Sequence, residues 1–226
     1  MEKRCDNCLF KSLSKNFLSN DEYELIRRTS VQLTFKKNEI IFKQGDKATN
    51  IAFLSSGIVK FKYQISNNRD FVLTVVSGPK LLGGANLFFN DTNLFSVEAV
   101  EDCEICLINS KALFRVITEN SKYFMAILQI SVEMYKYSIF NFINLSYKHV
   151  NGRIADILLY LSDQVYKNDK FKLSLTRKEI SEFAACSPAN VMTTVSMLHK
   201  EGIIKVDGKN IEIIDRKRLT EISKLG

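Results

Sequence analysis

Nowhere does this 226-residue chain run for about 18 apolar residues without a charge, the minimum for a membrane-spanning helix. Its first residues, Met1-Glu2-Lys3-Arg4, are polar, so neither a signal peptide nor a membrane anchor is expected and the cytoplasm is the expected location. Proline is scarce, at two residues, and glycine is held to nine. With no low-complexity tract and no internal period of about 20–50 residues, disorder and solenoid architectures are excluded. Only two histidines occur, His149 and His199, with no glycine-rich phosphate loop opening a helix and no paired nucleophile and base. Both histidines read as helix-face residues, and no enzyme class is supported. The five cysteines, Cys5, Cys8, Cys103, Cys106 and Cys186, are odd in number, which argues against a disulfide framework.

What is present is apolar residue at 46% of the chain, enough for real cores, and a net charge of +7. A basic balance favours a polyanionic partner through phosphate neutralisation. From Asn151 onward 13 Lys/Arg face 10 Asp/Glu, so that part carries only +3 and the charge alone does not locate a nucleic-acid face.

Local signals converge in the last third. Thr176 with Glu179 forms a capping box, and Ile180, Phe183 and Ala184 give one apolar side to a short helix. Ser187 is an N-cap with Pro188 at the first helical position, and Val191, Val195 and Leu198 recur at helical spacing. Only Ala185 and Cys186 remain between the two, the short turn of a helix-turn-helix. After Gly202 two alternating runs, Ile203-Ile204-Lys205-Val206 and Ile211-Glu212-Ile213-Ile214, flank Asp207-Gly208, a strong hairpin signal. A DNA-reading head is expected, with a plain helical cap and solvated hairpin as the bland alternative.

From Phe35 to about Leu113 short alternating strands are broken by turn residues every ten or so positions, which predicts a β-barrel or jelly roll. In Ile58-Val59-Lys60-Phe61-Lys62-Tyr63-Gln64 the alternation places Val59, Phe61 and Tyr63 on a buried face and Lys60, Lys62 and Gln64 toward solvent. Between Asn120 and His149 the period turns helical. Phe124, Leu128, Ser131, Tyr135, Ser138, Phe142, Leu145 and His149 follow a coiled-coil seam, with Ile127, Ile130, Met134 and Tyr137 beside it. A helix apolar on two sides needs two partners, expected to be the barrel and a second copy of the chain; a buried helix within a monomer is the alternative. The helix is expected to break at Gly152, with a hinge there. The predicted domains are a β-barrel sensor over 1–119, a dimerisation helix and hinge over 120–150, and a winged helix-turn-helix over 151–226.

This order, with Ile41-Phe42-Lys43-Gln44-Gly45-Asp46, Leu54-Ser55-Ser56-Gly57, Gly152-Arg153-Ile154-Ala155 and Leu175-Thr176-Arg177-Lys178-Glu179-Ile180, resembles the Crp/Fnr superfamily of bacterial transcription regulators over nearly the whole chain. The resemblance implies an α+β chain acting as a homodimer on a palindromic operator, with RNA polymerase as a protein partner. Members that bind cyclic nucleotides carry a Glu, an Arg and a Ser in a phosphate cassette. Here Gly84, Leu94 and Phe95 stand at those positions, and a phosphate would meet no cation. Cyclic AMP is therefore not expected as the effector. An apolar or aromatic ligand near Leu82, Gly84, Phe88, Leu94, Phe95, Tyr135 and Ser138 is one expectation and a filled-in core the other. The iron–sulfur branch of the family uses four cysteines. Cys5, Cys8 and Cys106 match three of its positions, but Ser14 stands at another, and Cys103, three residues from Cys106, falls on the opposite face of a strand. A cluster or a redox-sensitive Cys5/Cys8 pair is the alternative signal.

Pro188, Ala189 and Thr193 occupy recognition-helix positions where many members have Arg, Glu and Arg, and Ala185 replaces the turn glycine. Base readout is then expected from Asn190, with Thr193, Thr194 and methyl contacts from Ala189 or Met192, favouring an A·T-rich operator. Phosphate contacts are expected from Thr176, Arg177, Ser187, Lys200 and Lys209. A winged helix that binds protein instead of DNA is the rival of another class, separable by heparin retention and salt-dependent DNA binding.

Overall fold

Among the described residues two helices precede the first strand, a feature the alternation of polar and apolar residues does not announce. The computed structural model describes residues 9–66, 69–83 and 92–225, so the candidates Cys5, Cys8, Gly84 and Phe88 lie outside the described residues. α1 spans Leu9–Ser14 and α2 Asn20–Arg28. The second opens on a capping box in which Ser19 Oγ accepts from Glu22 N and Glu22 Oε2 accepts from Ser19 N at 2.7 Å. Phe10, Tyr23 and Ile26 from these helices join Ile51, Phe53, Ile108, Leu113 and Tyr123 in one buried cluster.

Eight strands follow among the described residues: β1 (Ser30–Phe35), β2 (Ile40–Phe42), β3 (Asn50–Ser56), β4 (Ile58–Ser66), β5 (Arg69–Ser77), β6 (Lys80–Leu82), β7 (Ser96–Ala99) and β8 (Cys103–Asn109). They form two four-stranded sheets, ordered β1-β8-β3-β6 and β2-β7-β4-β5, with antiparallel registers such as Leu33↔Ile105 and Phe53↔Cys106. The double-sheet form of the expectation holds, and the closed-barrel form does not: among the described residues each sheet ends on an edge strand instead of closing on itself. The alternation predicted for β4 fails at its start. Ile58, Val59, Lys60 and Phe61 are all buried, while Tyr63 is 40% exposed, so the strand is covered on both faces where it begins. Gly57, at φ +96°, leads into β4, and a Cβ there would lie 2.5 Å from the Asp102 carbonyl oxygen.

α3 (Ser110–Glu119) is capped by Asn109, and α4 runs for 27 residues from Ser121 to Tyr147. The chain then leaves the helix at Lys148 and His149, not at Gly152. His149 is extended (φ −69°, ψ 166°) and serves as the N-cap of α5 (Val150–Tyr160), in whose first turn Gly152 lies buried. The expected break at glycine is thus displaced by three residues. α5 continues into a π-helical turn, Leu161–Tyr166, ended by Lys167 in the left-handed region. The remainder is β9 (Lys170–Lys172), α6 (Arg177–Phe183), α7 (Pro188–Lys200), β10 (Ile204–Asp207), β11 (Asn210–Ile213) and α8 (Arg216–Leu225).

The chain divides into two compact units. One contains Met1–Val59 and Gly78–Tyr137; the other contains Lys60–Ser77 and Ser138–Gly226. Residues 60–77, which the sequence groups with the sensor, therefore belong to the compact unit that holds the helix-turn-helix. Within that unit α8 packs along α5, where Asp156 receives Lys148 Nζ at 2.7 Å and the Ser223 hydroxyl.

Candidate nucleic-acid interface

The helix-turn-helix follows from its caps. Thr176 Oγ1 accepts from Glu179 N at 3.2 Å and Thr176 N donates to Glu179 Oε2 at 2.6 Å, completing the capping box of α6. Ile180, Phe183 and Ala184 are buried. Ala185 then takes φ +48°, a conformation that favours glycine, and so turns the chain within two residues. Cys186 N donates to Ser181 O at 3.0 Å, and Ser187 Oγ accepts from Asn190 N at 3.2 Å to start α7 with Pro188 in its first turn.

On α7 the buried stripe is Val191, Thr194 and Leu198. Ala189, Asn190, Met192, Thr193, Ser196 and Lys200 are exposed, the last four lining a shallow groove with Met197 and Glu201. Thr194 has to be removed from the predicted readers. It is 2% exposed and its hydroxyl donates to Asn151 Oδ1 at 2.6 Å, tying the recognition helix to α5. Ser196, which the sequence does not single out, is exposed three residues beyond Thr193 on the same helical face. Thr176 and Arg177 are exposed at the start of α6, and the Arg177 guanidinium lies 3.7 Å from Met192 Sδ, beside the exposed face of α7.

The wing is a three-stranded antiparallel sheet ordered β10-β11-β9, in which the sequence revealed the hairpin but not β9. Ile204↔Ile213 and Phe171↔Ile211 pair on the covered side, and Gly208 at φ +59° opens the two-residue loop that leaves Lys209 exposed at the tip. His199 serves the fold: Val206 N donates to its Nδ1 at 3.3 Å, joining α7 to β10.

Sensor-side candidates are distributed differently. Leu82 is 2% exposed in β6, whereas Leu94 and Tyr135 are 44% and 68% exposed, Phe95 is half-buried and Ser138 is exposed. Exposed side chains cannot enclose a ligand unless something covers them. Leu94 carries no charge with which to meet a cyclic phosphate. Cys106 is buried beside Phe53 and Tyr123, and Ser14 is buried too. Cys103 lies elsewhere, its thiol donating to Ile58 O at 3.3 Å, and burial pushes it up to about 11. Among the described residues no three His, Cys, Asp or Glu side chains gather as a metal site. The serine at position 14 supplies no thiolate, and Cys5 and Cys8 lie outside the described residues.

A double antiparallel sheet, a long helix and a winged helix-turn-helix, in that order, form the architecture of a helix-turn-helix transcription regulator. Comparison with known proteins agrees: a cyclic nucleotide-binding domain model matches residues 32–120 and a Crp-like helix-turn-helix domain model matches residues 152–222. The chain belongs to the Crp/Fnr superfamily of transcription regulators. It is 24% identical over 220 residues to the anaerobic regulatory protein of Bacillus subtilis, covering 90% of this chain and 87% of that one. It is 26% identical over 184 residues to the cAMP-activated global transcriptional regulator CRP of Pasteurella multocida, covering 79% and 88%. Among solved structures, FixK2 from Bradyrhizobium japonicum superimposes with a TM-score of 0.79 at 18% identity, covering 85% of this chain and 96% of that one. The c-di-GMP-responsive global regulator CLP of Xanthomonas campestris gives 0.72 at 18%, covering 86% and 99%. Among the described residues no helix is long and apolar enough to cross a membrane.

Proposed function

We propose that the protein is a cytoplasmic, non-catalytic, sequence-specific regulator that binds a palindromic, A·T-rich operator as a homodimer. The observation that carries this is the exposed face of α7, where Asn190 and Thr193 stand free above a buried Val191–Thr194–Leu198 stripe, with Thr176 and Arg177 on α6 and Lys209 at the wing tip as phosphate contacts. Dimerisation is supported by α4: Phe124, Leu128, Tyr135 and Phe142, all on the predicted seam, are 39%, 42%, 68% and 72% exposed in the single chain. An apolar seam of that length is stable in water only when covered. In function, residues 1–119 serve as sensor, 120–150 as dimerisation helix and hinge and 151–226 as reading head, and the DNA-bound dimer has RNA polymerase as a protein partner.

The signal differs from cyclic AMP. Relatives of similar fold carry names that specify different signals, cAMP in one and c-di-GMP in another, so the superfamily by itself selects none. Leu94 in place of a guanidinium argues against a cyclic phosphate in this chain. A signal, by whatever chemistry, shifts the population of DNA-competent dimers. The iron–sulfur or thiol reading that uses Cys5, Cys8 and Cys106 is weakened by Ser14, and a brown, iron- and sulfide-containing protein from anaerobic purification would restore it. The operator reading is tested by selecting bound sequences from a random duplex pool and repeating the selection with Asn190→Ala. Discrimination should fall by about 1–3 kcal/mol at one or two base pairs; an unchanged consensus removes Asn190 from the readout.

A further inference from the structure

Lys60 breaks the pattern of its strand. Alternation assigns it to solvent, yet it is 5% exposed, and an ammonium is buried at a cost unless a carboxylate meets it. Its Nζ pairs with Glu179 Oε1, across 119 residues of sequence, in the same compact unit. The Glu179 side chain is 15% exposed and its carboxylate is divided between two tasks: Oε1 takes the Lys60 ammonium, and Oε2 takes the Thr176 amide that closes the capping box of α6. Burial alone would raise this carboxyl, but the hydrogen bonds from Lys60 and Thr176 outweigh it and hold Glu179 below its ordinary range.

More of the β4–β5 hairpin is fastened to the same body. The Tyr160 hydroxyl donates to Val75 O at 2.7 Å and receives Thr74 Oγ1 at 3.0 Å, while its ring stands edge-on to Phe183 of α6. Ser77 Oγ donates to Gln164 O in the π-helical turn. The hairpin thus holds α5, the π turn and α6, and leaves the exposed face of α7 clear.

We propose that Lys60 and Glu179 are positioning residues for DNA binding. The hairpin lysine fixes the carboxylate that caps α6, and through that cap it holds the helix end from which Thr176 and Arg177 reach phosphate. The proposal rests on the DNA-binding reading above. With the lysine removed, a half-buried carboxylate loses its counter-charge, the cap loosens, and the phosphate contacts at the start of α6 are made less often.

The test uses the full chain and a labelled mixed-sequence duplex, because phosphate contacts are independent of sequence. Affinity is measured against salt for the wild type, Lys60→Met and Glu179→Gln, with amide hydrogen exchange on each. Lys60→Met should bind about tenfold more weakly, with a shallower dependence of log K on log salt by roughly one contact per head. Exchange should quicken at residues 176–180 and 60–77 while β8 stays protected. Glu179→Gln can still cap but carries no charge for Lys60, so an intermediate loss is expected, and this variant decides the matter if Lys60→Met does not fold. A folded variant with lost stability but unchanged affinity and salt slope would reduce the pair to a purely structural role and overturn the proposal. A wild-type chain that binds no duplex would overturn the DNA-binding reading itself.

Discussion

The two hairpins of the second unit, β10–β11 and β4–β5, carry the same kind of alternating sequence and end in opposite circumstances. In the wing, Ile204, Ile211 and Ile213 are buried, and Lys205 stands in solvent as alternation predicts. In β4 the apolar positions Val59 and Phe61 are buried, but so is Lys60, because another element covers the face labelled polar. Alternation records which face is apolar. It does not record whether the other face is covered, and a lysine can be drawn inside when a carboxylate 119 residues away is waiting for it.

Substitutions can break this contrast. Lys60→Met should cost the folded chain about 3–5 kcal/mol, since it strands the Glu179 carboxylate in a half-covered site, whereas Lys205→Met in the wing should change stability by less than about 0.5 kcal/mol; equal effects in a denaturant titration would erase the distinction. Next in size, Ile211→Ala on the covered side of the wing should cost about 2–5 kcal/mol through the cavity it leaves, and a negligible change would mean the wing packs on nothing. Ala185→Gly should work in the other direction, stabilising by roughly 0.5–1 kcal/mol because residue 185 sits at positive φ. A loss of melting temperature would show that this turn is not left-handed. The smallest effect is kinetic and concerns the cysteines. With Cys103 buried and pushed up to about 11, only roughly one thiol in a thousand is ionised at pH 8. Mass spectrometry after brief alkylation should find half-exposed Cys186 labelled well ahead of Cys103, and prompt labelling of Cys103 would contradict its burial.

The head was legible in the sequence because its determinants are local. Thr176 with Glu179, Ser187 with Pro188, and Gly208 in a two-residue loop each announce an element within four residues, and each forms as read. β9 and α8 escaped notice: Lys170–Lys172 has a single buried residue, Phe171, and its pairing with β11 lies some forty residues on. α1 and α2 were missed for a similar reason, since their apolar side is completed by Phe53 and Tyr123 from distant elements. Gly152 misled because glycine breaks a helix when it must supply unusual dihedrals, whereas here it lies buried in the first turn of α5 and the extended residue is His149. Thr194 misled because its side chain is polar: its spacing, three residues after Val191 and four before Leu198, already places it on the buried stripe, where Asn151 takes its hydroxyl. The effector side was least legible. Its determinants are substitutions away from a family pattern, and Leu94 or Ser14 can say what chemistry is missing without saying what replaced it.

The central claim is that paired α4 helices deliver two α7 helices to one duplex. Its most direct test is the mass of the complex on a single A·T-rich operator fragment, recovered by selection and measured by sedimentation or mass photometry across a salt series. Two chains per duplex, with affinity falling steeply as salt rises, is the result expected. One chain per duplex, or binding no stronger than to random competitor, would contradict it.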